Sequence, residues 1–182
     1  PISLAHSAFS VAELMRVNVE GTLRLARQAL SHGVRRLVYV SSIKALGEES
    51  GARSLGETDA PAPVDAYGRA KLAAEQALRG LFGDGHLEIT IVRPPLVYGP
   101  RVRANFLTLL HAVARGVPLP IAAINNRRSL VYVGNLCDAL LACVLAPEAA
   151  GRTFHVTDGR SEEHTSELHP HLNLVCRLLL EK

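Results

Sequence analysis

Leu37-Val38-Tyr39-Val40-Ser41-Ser42 decides the fold class: four β-forming apolar residues in a row, halted by two hydroxyl side chains. A run this short, without polar alternation, suits a strand buried on both faces, as in a parallel sheet. Upstream, Ser10-Val11-Ala12-Glu13 has the spacing of a capping box with Ser10 as N-cap. A helix over residues 11–31 is expected, and Gly33 stands where a left-handed residue closes it. Downstream, residues 43–64 are rich in Gly, Ser and Pro and predict a loop. Asp65 is placed to cap a helix over 66–79 that stops at Gly80. Residues 87–92 predict a second strand, broken by Arg93-Pro94-Pro95. Then come a helix over 104–115, an extended piece over 130–133, a helix capped by Asn135 and a last strand over 153–156. Strands alternating with helices predict an α/β fold with a parallel sheet. Only two strands are clear, too few for a complete doubly wound domain.

The chain has 182 residues, enough for one modest domain with a core. Hydrophobic residues make up 48% and charged residues 20%, a globular rather than a disordered composition. Aromatic residues are 4% and Trp is absent, which argues against base-stacking nucleic-acid modules. Basic residues are scattered apart from Arg35-Arg36 and Arg127-Arg128, so there is no DNA-binding stripe. The formal charge of +3 suits a phosphate-bearing partner. Cys137, Cys143 and Cys176 show no CxxC spacing and are expected to be reduced thiols in the cytoplasm. Cys137 and Cys143 lie on an apolar helix and are expected to pack in the core. No apolar run reaches the ~20 residues of a membrane span. No signal peptide and no initiating Met open the chain, whose first residue is Pro1. Neither a nucleic-acid nor a membrane partner is expected.

From Arg160 the text changes character. Arg160-Ser161-Glu162-Glu163-His164-Thr165-Ser166-Glu167-Leu168 resembles the conceptual translation of a sequencing adapter, and the residues to Lys182 resemble its continuation. Residues 160–182 are therefore expected to be a non-native tail. His164, His169 and His171 fall inside it, so no metal site is expected there. The tail holds three basic and four acidic residues, and without it 17 basic residues face 13 acidic ones.

Tyr67-Gly68-Arg69-Ala70-Lys71 sets a Tyr and a Lys at i and i+4, on one face of one helix. An ammonium near a phenol stabilises the phenolate, so Lys71 is expected to lower the Tyr67 pKa. Such a phenol can take a proton from an alcohol or return it to an alkoxide. By itself this spacing is common in helices, where it means a solvated Lys beside a half-buried Tyr. Ser42, 25 residues earlier and just beyond a strand, strengthens the reading, because strand ends carry functional groups in α/β sheets. Its hydroxyl could bond both a substrate oxygen and the Tyr oxygen.

Asn18-Val19-Glu20-Gly21-Thr22, Val38-Tyr39-Val40-Ser41-Ser42, Tyr67-Gly68-Arg69-Ala70-Lys71 and Arg93-Pro94-Pro95-Leu96-Val97-Tyr98-Gly99-Pro100 form an ordered set. With them the chain resembles the extended short-chain dehydrogenase/reductases, specifically the NAD-dependent nucleotide-sugar epimerase/dehydratase family, over about residues 10–159. The resemblance implies a partial Rossmann-type doubly wound parallel sheet, the C-terminal half of a cofactor domain, with part of a small substrate-binding α/β domain. It implies a catalytic triad of Ser42, Tyr67 and Lys71. Asn18, Val40, Ser41, Tyr67, Lys71, Pro94 and Val97 would line the cofactor, NAD or NADP. Ser42, Lys44, Leu96, Asn105, Phe106 and Arg128 would meet the substrate, with Arg128 on the diphosphate through its two-pronged guanidinium. The family's Gly-rich phosphate turn is not found, since Gly83-Asp84-Gly85 lies between a helix and a strand. Residues 1–159 are thus expected to be an incomplete NAD(P)-binding domain lacking its first half, and by itself inactive.

Three departures bear on the sugar. Leu96 stands where many relatives have a substrate-contacting Asn, Ser129 where many have Asp, and Lys44 where many epimerases have Thr. The resemblance implies oxidoreduction at C4 of a UDP-sugar, as a UDP-sugar 4-epimerase or as a 4-keto reductase of a UDP-deoxy-amino sugar of the N-acetylquinovosamine type. A dehydratase usually carries an acidic pair beside the Ser, and Ile43-Lys44 stand here. Non-catalytic relatives usually lose the Tyr or the Lys, and both are present. Relatives often dimerise through the helix that starts here at Val11 and the Tyr67 helix, so a homodimer is expected of the full-length protein.

Overall fold

Ser10 opens the first helix as its spacing requires. Its Oγ accepts from the Glu13 N–H at 3.2 Å, and the Glu13 carboxylate accepts from the Ser10 N–H at 2.9 Å. The computed structural model describes residues 10–48, 55–82, 86–100, 108, 111, 114–115 and 129–158. Helix α1 (Val11–Met15) passes through a π-helical turn (Arg16–Glu20) into α2 (Gly21–Ser31). Gly33, at φ 76°, ends the rod in the left-handed region. The expected helix over 11–31 is therefore present, with a π turn that no spacing foretold.

Strand β1 (Arg36–Val40) pairs in parallel with β2 (Glu88–Arg93), Arg36 opposite Glu88 and Val40 opposite Val92. Strand β5 (Thr153–His155) pairs in parallel with the other edge of β2. The period-2 alternation of β2 explains its place. Ile89 and Ile91 point into a core shared with Ala26, Tyr39, Ala74, Leu78, Phe82 and Leu87. Val92 points into the opposite core, with Val131, Leu136, Ala139, Cys143 and Phe154. Strand β2 is thus buried on both faces, whereas β1, expected to be so, is mostly half-buried. Five strands are present among the described residues, against two clear in the sequence.

Helix α3 (Ala66–Phe82) covers the first face. It starts where Asp65 caps it, Oδ1 accepting from the Gly68 N–H at 2.6 Å, but it runs through Gly80 to Phe82. Packing of Leu78 and Phe82 on the sheet outweighs the ~1 kcal/mol cost of a helical Gly. Helix α4 (Val133–Leu145) covers the second face. Arg36 reaches across to the carbonyls of Cys143, Val144 and Ala146 at its C-terminus, where a cation is favoured. Beyond Arg93-Pro94-Pro95 the chain forms β3 (Leu96–Tyr98), paired in parallel with β4 (Leu130–Tyr132) as a second small sheet.

Three expectations need correction. Asn135 does not cap α4; it lies in the first turn and donates to Asp158 at 2.8 Å, while Asp158 accepts from the Tyr132 N–H at 2.9 Å. Asp158, distant in sequence, supplies the carboxylate that an N-terminus prefers. Cys143 is buried but Cys137 is exposed, because α4 buries only one stripe. Residues 43–64 contain a 3-10 turn (Ile43–Ala45). Of the helix expected over 104–115, Thr108, His111 and Ala114 are helical; Asn105, Phe106, Arg127, Arg128, the Gly83-Asp84-Gly85 stretch and residues 159–182 lie outside the described residues. No described helix is long and apolar enough to cross a membrane.

Candidate active site

The end of β1 is sewn to the end of β2. The Ser41 N–H donates to the Val92 carbonyl at 2.7 Å, and the Ile43 N–H to the Pro94 carbonyl at 3.0 Å. This brings Val40, Ser41, Ser42 and Pro94 together at the C-terminal edge of the parallel sheet, where ligands bind in open α/β folds. Ser42 is extended at φ −156°, ψ 151°, and its Oγ accepts from the Lys44 N–H at 3.3 Å, capping the 3-10 turn. Val97, in β3, packs half-buried against the second core, and Leu96 beside it is exposed.

Helix α3 packs against that turn. Gly68 permits the contact: a Cβ there would overlap the Lys44 carbonyl oxygen. Tyr67, Lys71 and Glu75 follow at four-residue steps and so form one stripe. Lys71 is 1% exposed. Its Nζ donates to the Val40 carbonyl at 3.0 Å and lies 5.0 Å from the Tyr39 ring centre and 5.8 Å from that of Tyr67. The structure thus brings the Ser42 turn, Tyr67 and Lys71 into one region.

Glu75 and Arg93 were not singled out by sequence reasoning. They form a buried two-pronged ion pair, Nε to Oε1 at 3.0 Å and Nη2 to Oε2 at 2.6 Å. Ser41 Oγ donates to the same Glu75 carboxylate. The pair locks α3 to β2 directly beneath Lys71. The legible signal was the four-residue step from Tyr67 through Lys71 to Glu75.

Electrostatics correct one expectation. Burial pushes the Lys71 ammonium down to about 8, against the opposing pull of the Glu75 carboxylate. The Tyr67 phenol is raised rather than lowered: burial favours its neutral form, and the Asp65 carboxylate adds to this. Lys44, not Lys71, is the cation that opposes the rise. The Lys44 Nζ holds Glu48 at 2.5 Å and Asp65 at 2.7 Å. His155, at the end of β5, is pushed below its ordinary value by burial, against the opposing pull of the Glu57 carboxylate.

Asn18 lies in the π turn, which packs on α3. It is 1% exposed, its Nδ2 donates to the Leu14 carbonyl at 3.1 Å, and its Oδ1 is buried without a partner among the described residues. An orphaned acceptor costs about 1–3 kcal/mol, and π turns are frequent at functional sites. A nicotinamide ribose, with hydroxyls that donate and accept, fits the Lys71 ammonium at this strand end, with the Asn18 amide in the neighbouring turn.

The family profile described as the NAD dependent epimerase/dehydratase family matches residues 4–157. The chain belongs to this family. A UDP-glucose 4-epimerase of Vibrio cholerae is 45% identical over 145 residues, which are 79% of this chain and 44% of that protein. The crystal structure of a UDP-glucose 4-epimerase from Thermotoga maritima with UDP-glucose superposes with a TM-score of 0.75 at 25% identity, over 97% of this chain and 55% of that one. The structure of MoeE5 in complex with UDP-glucose and NAD superposes at 0.68 and 30% identity, over 80% and 50% of the two chains. This chain spans about half the length of the relatives it matches. The Rossmann-type parallel sheet expected of the family is present.

Proposed function

We propose that this protein is a UDP-sugar 4-epimerase that recycles a bound nicotinamide dinucleotide. The observation that carries the reading is the convergence of the Ser42 turn, Tyr67 and buried Lys71 at the end of β1. The 45% identity to a UDP-glucose 4-epimerase supports the choice of reaction. Ser42, its hydroxyl at the strand end, hydrogen-bonds the C4 oxygen of the sugar. Tyr67 takes the proton from the C4 hydroxyl and returns it in the reverse half-reaction. Lys71, charged below about pH 8, holds the ribose of the cofactor, and the Lys44 ammonium is the cation that favours the phenolate. When bound, the cofactor supplies the acceptor and donor of the C4 hydride. Asn18, Val40, Ser41, Pro94 and Val97 line its side of the cleft; Leu96, Asn105, Phe106 and Arg128 meet the nucleotide sugar. The full-length protein works as a homodimer in the cytoplasm; exposed Val11, Met15 and Leu25 on the α1–α2 rod support the dimer face.

Proton NMR on the full-length protein tests the reaction. It is mixed with UDP-glucose or UDP-N-acetylglucosamine and no reduced cofactor. A new anomeric signal from the C4 epimer is expected. An unchanged spectrum from folded protein points instead to the 4-keto reductase, which the stretch from Ser41-Ser42-Ile43-Lys44 to Arg93-Pro94-Pro95-Leu96-Val97-Tyr98-Gly99-Pro100 also resembles. That enzyme consumes reduced cofactor on a UDP-linked 4-keto sugar.

A further inference from the structure

Lys44 touches both ends of the proposed proton-transfer site through three separate groups. Its N–H donates to Ser42 Oγ at 3.3 Å. Its carbonyl oxygen is the surface on which Gly68 packs, one residue past Tyr67. Its Nζ holds Asp65, the residue that caps the Tyr67 helix through the Gly68 N–H. A second carboxylate, Glu48, pins the same ammonium from the other side. No other described residue joins the Ser42 turn to the first turn of α3 in this way.

We propose that Lys44 is a positioning residue for the Tyr67 phenol: its backbone sets the register of the Ser42 turn against α3, and its ammonium covers the Asp65 charge that would otherwise face the phenol bare. The inference rests on the acid/base reading of Tyr67 and deepens it. It also revises the role of Lys44, whose ammonium is committed to two carboxylates and not left for a sugar. An Asp at the cap is a useful helix start, but two residues before a catalytic phenol its charge resists phenolate formation. Glu48-Lys44-Asp65 keeps the cap and offsets the resistance. The groups that face Tyr67 are Asp65 from the cap that precedes α3, Lys71 from α3, Lys44 from the 3-10 turn, and Tyr39 from β1. Of these, Lys44 and Asp65 act on the phenol in opposite directions.

The opposition makes the proposal testable by sign. Tyr67 is titrated in the full-length protein by NMR of ring-labelled tyrosine, assigned with Tyr67→Phe, and without any sugar. Lys44→Met is expected to raise the Tyr67 titration by on the order of one pH unit. Asp65→Asn keeps a capping side chain and is expected to lower it. The double variant returns toward the parent, and Lys44→Arg stays with the parent. In turnover assays the acid limb of the kcat/KM profile of Lys44→Met moves to higher pH, with kcat at pH 7 down about tenfold. A titration unmoved by both single variants, or moved the same way by both, overturns the proposal. So does a Lys44→Met variant that changes only KM, which marks a sugar contact. Should Lys44→Met not fold, Asp65→Asn decides alone by its sign. Because the titration needs no sugar, failure of the 4-epimerase reading leaves it readable, and a failed titration leaves the epimerase assay standing.

Discussion

Lys71 departs far from its ordinary solution behaviour. Its pKa falls from 10.5 to about 8 because the helix face that carries it is buried. Between those values the unfolded chain binds a proton at this side chain and the folded chain does not. Stability contributed here therefore rises with pH, by about 1.4 kcal/mol per unit while that difference lasts. Lys71→Met removes the term. Urea titrations at several pH values from 7.5 to 10.5, a range on the order of the two pKa values, should show the parent gaining on the variant as pH rises. A constant gap between the two proteins would contradict burial as the cause. Tyr67 and Lys71 were legible in the sequence because a four-residue step is a geometric statement. The direction of the Tyr67 shift was not, since it depends first on burial of the phenol and then on the Asp65 carboxylate, with Lys44 opposing from the 3-10 turn. Asn18 was legible as a member of a motif, but not as a buried amide with an orphaned oxygen.

Elements meet at two points where a single atom decides the contact. Gly68 lets α3 lie against the Lys44 carbonyl. Gly68→Ala improves helix propensity by about 1 kcal/mol, yet the added carbon meets backbone that cannot rotate away. A net loss of roughly 1–3 kcal/mol is expected, read as a lower urea midpoint, together with lost turnover as Tyr67 shifts from Ser42. The second point is Glu75–Arg93 between α3 and β2. Arg93→Leu leaves a buried carboxylate without its partner and should cost about 3–5 kcal/mol. Glu75→Gln added to it should recover much of that loss. If the double variant is no more stable than Arg93→Leu, the cost does not come from the stranded charge. The Ser10 and Asp65 caps, the close of the first rod at Gly33 and the buried β2 strand were legible from local spacing, whereas the end of α3 beyond Gly80 and the start of α4 were not. The short strands β3, β4 and β5 were less so, because three residues carry little periodicity and depend on pairing partners far along the chain. Asp158 shows the same limit: it accepts from the Tyr132 N–H and the Asn135 side chain at the start of α4, from 23 residues beyond Asn135, a link that only the folded chain makes.

At the scale of the molecule, the parallel sheet, its two helical covers and the small β3–β4 sheet place one strand end, one helix face and one turn around a single phenol. Exposed apolar side chains on the α1–α2 rod, Leu25 foremost at 63% exposure, give the dimer proposal its surface. Sedimentation of the full-length protein should return a dimer, and Leu25→Glu should shift it toward monomer. The reaction stands more narrowly. Ser42, Lys44, Asp65 and Lys71 all enter the proposed reaction around Tyr67, so the decisive measurement is turnover of the full-length Tyr67→Phe protein, followed by the anomeric NMR signals of the UDP-sugar. The predicted result is a fall in kcat of about a hundredfold or more, with KM and the urea midpoint near those of the parent. Turnover equal to the parent's would contradict Tyr67 as the group that moves the proton.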